Sequence, residues 1–211
     1  IAPETENKLI ELIKLNKFKK KMLSNNLSAI KISSSKYKTY KFFQKNSIPT
    51  LKTFNFKKKN FKISKKWVAK RDDGAGSEEN YIFSNKKDLF NFLNIHRNFI
   101  IQPLVKGVSY SVNVIPIKKK ICVLNFNQQQ ISYEKKKIIF KGTKFVKKIP
   151  YETKIKKNIR NIYKKLNGLN SFFGIDFIIS NKKIFFLDIN PRITTSYKNI
   201  SKNLKINAAK K

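Results

Sequence analysis

Two short apolar segments near the carboxyl end, residues 172–179 and 184–189, each contain one acidic residue, Asp176 in the first and Asp188 in the second. Their β-branched and aromatic residues predict strands, and the few residues between them predict an antiparallel hairpin. A carboxylate in an apolar strand is costly to bury unless a partner compensates its charge. The hairpin therefore predicts a functional site at the two acids.

The length of the turn decides whether the two acids meet. A three-residue turn over 181–183 would place Asp176 opposite Asp188 with Asn190 on the same face, whereas a two-residue turn would place the acids on opposite faces. Facing carboxylates repel each other, and a bound cation would relieve that repulsion. Two carboxylates and an amide oxygen suit Mg²⁺ or Mn²⁺. We favour this metal site over the alternative, two acids on the surface of a basic protein.

A glycine-containing loop is the second feature of interest, because the chain has only six glycines and glycine alone accepts positive φ freely. Gly74 and Gly76 follow a predicted strand that contains Lys70. Such a loop can fold over phosphate groups with its amides pointing inward, while a lysine supplies a cation. An ordinary hairpin turn explains the same glycines, so both interpretations stay open.

The order of the remaining elements predicts an α+β fold with mostly antiparallel strands, since helices and strands do not alternate regularly. Helices are predicted over 5–23, 35–45, 86–94 and 152–166, and further strands over 67–70, 81–83, 99–102, 110–115 and 121–126. No apolar run approaches the roughly 18 residues of a membrane-spanning helix, and the one cysteine, Cys122, excludes an internal disulfide. We expect a cytoplasmic protein without a membrane partner, with a homodimer as one option. Because the chain starts without methionine, we interpret it as a fragment or a trimmed product.

The charge of the chain is strongly positive, with a formal net charge of +36 and 48 Lys and Arg, of which only four are Arg. Such a charge attracts phosphate in a salt-dependent way, so a lysine-rich nucleic-acid-associated protein without catalysis is one alternative. The lysines are scattered in short runs typical of turns and solvated faces. Asn, Ile and Phe, whose codons are AT-rich like those of Lys, are abundant too. A drift in composition is the simpler explanation, and any nucleic acid is expected to bind only non-specifically.

A series of motifs resembles the ATP-grasp ligases over about residues 28–200. In chain order they are Lys36, Lys70, the glycine loop, Gln102-Pro103-Leu104-Val105 with Gly107, Asp176, and Asp188-Ile189-Asn190-Pro191-Arg192. Further segments, among them Asp73-Gly74-Ala75-Gly76 and 190–197, are similar to the tyramine–glutamate ligase branch, which acts in methanofuran biosynthesis. The resemblance implies two α+β subdomains that grip ATP. It also implies an ATP-dependent ligase that joins a carboxylate, such as glutamate, to an amine, such as tyramine, through an acyl-phosphate.

The resemblance further implies roles for individual residues. Phosphates would be bound by Lys36, Lys70, Gly74 and Gly76, adenine by Gln102, Pro103 and Leu104 as a hinge, and ribose at Ser109. Two Mg²⁺ or Mn²⁺ ions would be held by Asp176, Asp188 and Asn190. Arg192 and Lys70 would act on the transferring phosphoryl group, and Thr194, Thr195 and Ser196 would line the carboxylate substrate's site.

Three departures from the family pattern accompany the resemblance. Family members usually carry Glu at the positions of Asp188 and Ser109, and the expected upstream domain is largely missing. The resulting domain prediction is a remnant of that domain with a linker helix over 1–27, a first subdomain over 28–103, a second over 104–200, and a basic tail over 201–211. A degenerate remnant that binds nucleotide without turnover is therefore the second alternative.

Overall fold

The computed structural model describes residues 8–15, 24–55, 66–74 and 79–200. Its helices are α1 (Lys8–Leu15), α2 (Leu27–Ser33), α3 (Lys36–Lys45), α4 (Lys86–Ile95) and α5 (Glu152–Lys165), and a 3-10 helix spans Thr195–Tyr197. Its strands are β1 (Phe54–Asn55), β2 (Trp67–Arg71), β3 (Asn80–Phe83), β4 (Phe99–Pro103), β5 (Val108–Ile117), β6 (Lys120–Glu134), β7 (Lys137–Val146), β8 (Phe173–Ser180) and β9 (Lys183–Asn190).

These strands form one nine-stranded sheet in the order β1-β4-β2-β3-β7-β6-β5-β8-β9. Every pair of neighbouring strands is antiparallel, which confirms the predicted α+β class. A single residue pair, Tyr81 with Lys137, joins β3 to β7 and so links the two halves of the sheet. The carboxyl-terminal hairpin β8–β9 lies at one end of this order.

Among the described residues, two clusters of buried side chains hold helices against the sheet. The larger one joins α5, through Ile155, Ile159 and Ile162, to the strands β5, β8 and β9, as the helical spacing of these residues predicts. Phe43 of α3 packs in the same cluster, with its ring 6.4 Å from that of Phe186. The smaller cluster packs α4 on β2 and β4. The predicted domain boundaries stay a prediction.

The hairpin β8–β9 corrects one detail of the sequence analysis. Its turn has two residues, Asn181 and Lys182, and Ser180 pairs with Lys183, so the predicted three-residue turn is wrong. Both turn residues have positive φ, which matches the twist of the strands in a tight hairpin. The two acids still pair with each other, because the register shifts by one residue between Asp176 and Phe177.

Most other predicted elements are confirmed. Helices α3, α4 and α5 lie within one residue of their predicted bounds. The helix predicted over 5–23 is described only as α1, and the rest of that prediction lies outside the described residues. Within the described part, no helix combines the length and the apolar character needed to cross a membrane.

Candidate functional site

A cleft of about 370 Å³ lies over the face of the sheet that carries the two acids. Ten residues predicted from the sequence line it: Lys36, Lys70, Gly74, Asp176, Asp188, Asn190, Arg192, Thr194, Thr195 and Ser196. They come from α3, from the end of β2 and from the carboxyl-terminal hairpin and the loop after it. Gly76 lies outside the described residues. The cleft therefore brings together segments that are far apart in the sequence.

The carboxylate of Asp176 is held between two amides. The side chain of Gln129 donates to its Oδ1 at 3.0 Å, and the side chain of Asn190 donates to its Oδ2 at 3.1 Å. Burial, and then the nearby charge of Asp188, raise the pKa of Asp176 to about 6, against smaller lowering effects from Asn190, Lys36 and Arg192. Burial beside a second carboxylate thus favours the protonated form of Asp176.

Lys36 lies beside the second acid. Its Nζ is 3.5 Å from Oδ2 of Asp188 and donates to the carbonyl oxygen of Gly74 at 2.6 Å. Lys36 is the first residue of α3, whose N-cap Ser35 accepts from the backbone N–H of Lys38. The start of this helix thus fixes one cation beside Gly74 and Asp188.

The same helix start is tied to the end of β2 through Asp72. One oxygen of Asp72 accepts from the hydroxyl of Ser35 at 2.7 Å, and the other accepts from the backbone N–H of Tyr37 at 2.8 Å. An acidic group at a helix N-terminus is favourable because it satisfies free N–H groups and meets the positive end of the helix dipole. Asp72 therefore connects the helix that carries Lys36 with the strand that carries Lys70.

Lys70 is the second cation of the cleft. Burial lowers its pKa, and the charge of Lys36 adds to that effect, while Asp188 and Asp176 raise it. Two lysines thus face two carboxylates across one cleft. This arrangement can bind a ligand that carries both negative charge and cations, such as a metal-bound polyphosphate.

The loop that carries Arg192 is anchored by buried polar side chains. The hydroxyl of Thr194 donates to Oδ1 of Asn113 at 2.8 Å, and Nδ2 of Asn113 donates to Ser196 at 3.0 Å. On the other side, Nδ2 of Asn25 donates to the carbonyl oxygen of Pro191 at 2.9 Å. The loop is therefore held from both sides near the metal-site candidates.

The predicted hinge and ribose residues do not line the cleft. Gln102 is buried and donates from Nε2 to the hydroxyl of Thr53 at 2.9 Å, and its Oε1 has no hydrogen-bond partner in the described part of the chain. Pro103 ends β4, and the backbone N–H of Leu104 donates to the carbonyl oxygen of Lys66. Ser109 pairs with Ile178 in the sheet. The adenine and ribose assignments of these residues stay a prediction.

Several polar residues of the site were not predicted from the sequence. Gln129, Asn113 and Ser111 lie on β5 and β6, where polar side chains occur at every second position: Ser109, Ser111 and Asn113 on β5, and Asn125, Asn127 and Gln129 on β6. Polar side chains with a period of two must share one face of a strand. That alternation was the available signal for a polar surface beside the acids.

Comparison with known proteins defines the class of this one. A family model described as an ATP-grasp domain matches residues 33–196, and the chain belongs to the ATP-grasp family, which confirms the resemblance of its motifs. The chain is 36% identical over 197 residues to a tyramine–L-glutamate ligase from Methanocaldococcus fervens, covering 93% of this chain and 58% of that one. It is 33% identical over 204 residues to the enzyme of the same name from Methanocaldococcus jannaschii, covering 96% of this chain and 58% of that one.

Among solved structures, an ATP-grasp superfamily protein from Archaeoglobus fulgidus superposes with a TM-score of 0.72 at 21% identity, covering 96% of this chain and 60% of that one. This similarity confirms the predicted ATP-grasp fold. The chain spans 58% of the length of the two tyramine–L-glutamate ligases that it matches.

Proposed function

We propose that the cleft binds ATP with divalent metal ions and that the protein is an ATP-dependent carboxylate–amine ligase. The observation that carries the proposal is the pair Asp176 and Asp188, which face each other in the sheet and lie opposite Lys36 and Lys70 in one cleft. A triphosphate bridged to metal ions presents the complementary pattern of charge. The family supports the same conclusion, because the matched relatives are named as ligases.

The donor set fits a hard divalent cation. Asp176, Asp188 and Asn190 offer carboxylate and amide oxygens, which suit Mg²⁺ or Mn²⁺. Burial, and then the charge of Asp188, raise the pKa of Asp176, and a bound cation would favour its ionised form. We propose that these three side chains hold two ions. Such ions supply charge neutralisation for the phosphate groups.

The basic side chains of the cleft would bind and orient the reacting groups. Lys36 and Lys70 would bind the phosphates as ammonium point charges. The backbone at Gly74 would bind the phosphates as well. Arg192 offers a planar fork of donors that suits the transferring phosphoryl group and the acyl-phosphate. The hydroxyl groups of Thr194, Thr195 and Ser196 line the same cleft and would bind the carboxylate substrate.

The proposed reaction has two steps. A carboxylate oxygen of the substrate attacks the γ-phosphorus of ATP and ADP leaves, so that positioning and charge stabilisation by the protein provide the catalysis. An amine nitrogen then attacks the carbonyl carbon of the acyl-phosphate, phosphate leaves, and the amide forms with loss of one proton from the nitrogen. We propose glutamate as the carboxylate and tyramine as the amine, from the names of the matched relatives.

An assay of ADP release tests this function. Wild type would be compared with Asp188→Ala in the presence of Mg²⁺, glutamate and a panel of amines. Asp88→Ala, at an exposed position of α4, is the matched control. We expect amine-dependent turnover that is highest with tyramine, is lost in Asp188→Ala and is retained in Asp88→Ala.

Other outcomes support the alternatives. Nucleotide binding without turnover for any amine would indicate a degenerate remnant of an ATP-grasp enzyme. Absence of nucleotide binding, together with salt-sensitive RNA binding, would support the lysine-rich nucleic-acid-associated protein that the net charge of +36 suggests.

A further inference from the structure

Gln129 reaches Asp176 across an intervening strand. Gln129 belongs to β6 and Asp176 to β8, and β5 lies between them in the sheet. Two strand spacings amount to about 10 Å. A glutamine side chain spans this distance only if the side chain on the other strand extends toward it. The hydrogen bond from Nε2 to Oδ1 is nevertheless 3.0 Å long.

Small residues on β5 leave room for this contact. Ser111 pairs with Asp176 on one side and with Asn127 on the other, so its side chain shares their face of the sheet. Ser109 lies two residues earlier on the same face. A larger side chain at either serine would occupy space that the hydrogen bond from Gln129 to Asp176 crosses.

We propose that Gln129 is a positioning residue for the metal-binding carboxylate of Asp176. The inference rests on the proposed function, in which Asp176 is a metal ligand. A carboxylate turns easily about its last torsion, and a hydrogen bond to one oxygen restricts that rotation. Side chains that hold metal ligands in this way commonly change metal affinity by about 10- to 100-fold when they are removed.

The neighbours of Gln129 provide the matched control. Gln128 is exposed, lies one residue earlier on β6 and therefore points to the opposite face. The same substitution, Gln→Leu, can be made at both positions with the same change in size and polarity. Leucine is close to glutamine in volume but donates no hydrogen bond.

The experiment measures Mn²⁺ affinity by electron paramagnetic resonance, with the protein saturated by a non-hydrolysable ATP analogue. We expect Gln129→Leu to weaken Mn²⁺ binding by about 10-fold or more and Gln128→Leu to change it by less than about two-fold. The affinity for the analogue in EDTA and the melting temperature without ligand are expected to match wild type in both variants. A purely structural role would move these last two quantities instead.

Each outcome decides the inference. Unchanged Mn²⁺ affinity in Gln129→Leu, with metal binding intact in wild type, would overturn the role of Gln129 while the proposed function stands. Equal weakening in Gln128→Leu would also overturn it, because the effect would then belong to the strand. If wild type binds no Mn²⁺ with the analogue, the proposed function fails and the inference falls with it.

Discussion

Asp176 and Asp188 face each other across β8 and β9 because the strand β9 carries one extra residue, Leu187, between the positions that pair with Phe177 and Asp176. With a two-residue turn and no bulge, Asp188 would pair with Ile175 and point to the buried face. A β-bulge of this kind redirects side chains and is common beside functional sites. The metal-site candidate therefore depends on an irregularity of the strand as well as on the two acids.

The burial of Asp176, together with its repulsion from Asp188, gives the first prediction, which concerns the dependence of stability on pH. The pKa of Asp176 in the folded chain is raised from 3.8 to about 6, so the folded state binds more protons than the unfolded state between these values. Stability of the ligand-free protein should fall as the pH rises through this window and then level off, with a total effect on the order of 3 kcal/mol. In Asp176→Asn this part of the pH dependence should vanish.

Chemical denaturation in EDTA at several pH values between 4 and 8 measures the difference between the two proteins. Asp176→Asn should be the more stable protein at pH 7.5 and should lose the stabilisation that wild type gains from Mg²⁺ and nucleotide. Equal slopes against pH in both proteins would contradict the assignment. Asp88→Asn, at an exposed acid on α4, is the control for removing a charge.

The second prediction concerns the cation at the start of α3. Lys36→Met removes the ammonium group that lies 3.5 Å from Asp188, and a charged hydrogen-bond donor to phosphate contributes about 1.5–3 kcal/mol, or roughly 10- to 100-fold in affinity. Nucleotide binding, measured by calorimetry, should weaken by that factor. Lys38→Met, on an exposed side chain of the same helix, should change it little.

Asp72 gives the third prediction, which distinguishes its effect on the stability of the protein from its effect on the position of the start of α3. Asp72→Ala removes the acceptor of Ser35 and of the Tyr37 N–H, and loss of such a helix cap costs about 1–2 kcal/mol. Urea unfolding should show this loss. Because α3 carries Lys36, nucleotide affinity should fall as well. A stability loss with unchanged affinity would show that the helix start does not depend on Asp72 for its position.

Those parts of the fold that depend on residues close together in the sequence could be predicted. Helix α5 and the strands β2 and β4 follow from local periodicity, since the residues that define them are close in the chain. The second half of β6 and the whole of β7 were not predicted, because three consecutive glutamines (128–130) and the irregularly placed lysines of β7 interrupt the alternation that marks a strand. Pairing with neighbouring strands, which the local pattern does not reveal, places them in the sheet.

The site was predictable in its residue types and less so in its geometry. Asp176 and Asp188 could be found because acids are rare in apolar strands. Asn190 could be found because it lies two residues after Asp188 and so shares its face of the strand. The bulge at Leu187 could not be predicted. A three-residue turn without a bulge and a two-residue turn with one bulge both pair Asp176 with Asp188, and the sequence does not distinguish them. Gln129 was missed since its partner lies two strands away in the sheet.

Gly174 provides the last prediction, because the loop that carries Arg192 packs directly on it. A Cβ built at Gly174 would lie 2.6 Å from Cγ2 of Thr194, while its other near contacts are at ordinary distances of 3.6 and 3.7 Å. Thr194 cannot simply rotate away, because its hydroxyl donates to the buried Asn113. Gly174→Ala should therefore displace the loop, with a fall in turnover of about 10-fold or more, comparable to misplacing a reacting group by a fraction of an ångström.

A second substitution makes this prediction specific. Thr194→Ser removes the methyl group that collides and keeps the hydroxyl that bonds to Asn113, so Gly174→Ala with Thr194→Ser should recover most of the lost turnover. Thr194→Ser alone should stay close to wild type. Steady-state rates of ADP release for the four proteins, with melting temperatures to confirm folding, measure the coupling between the two sites. Additive losses without recovery would mean that contact between Gly174 and Thr194 does not set the position of the loop.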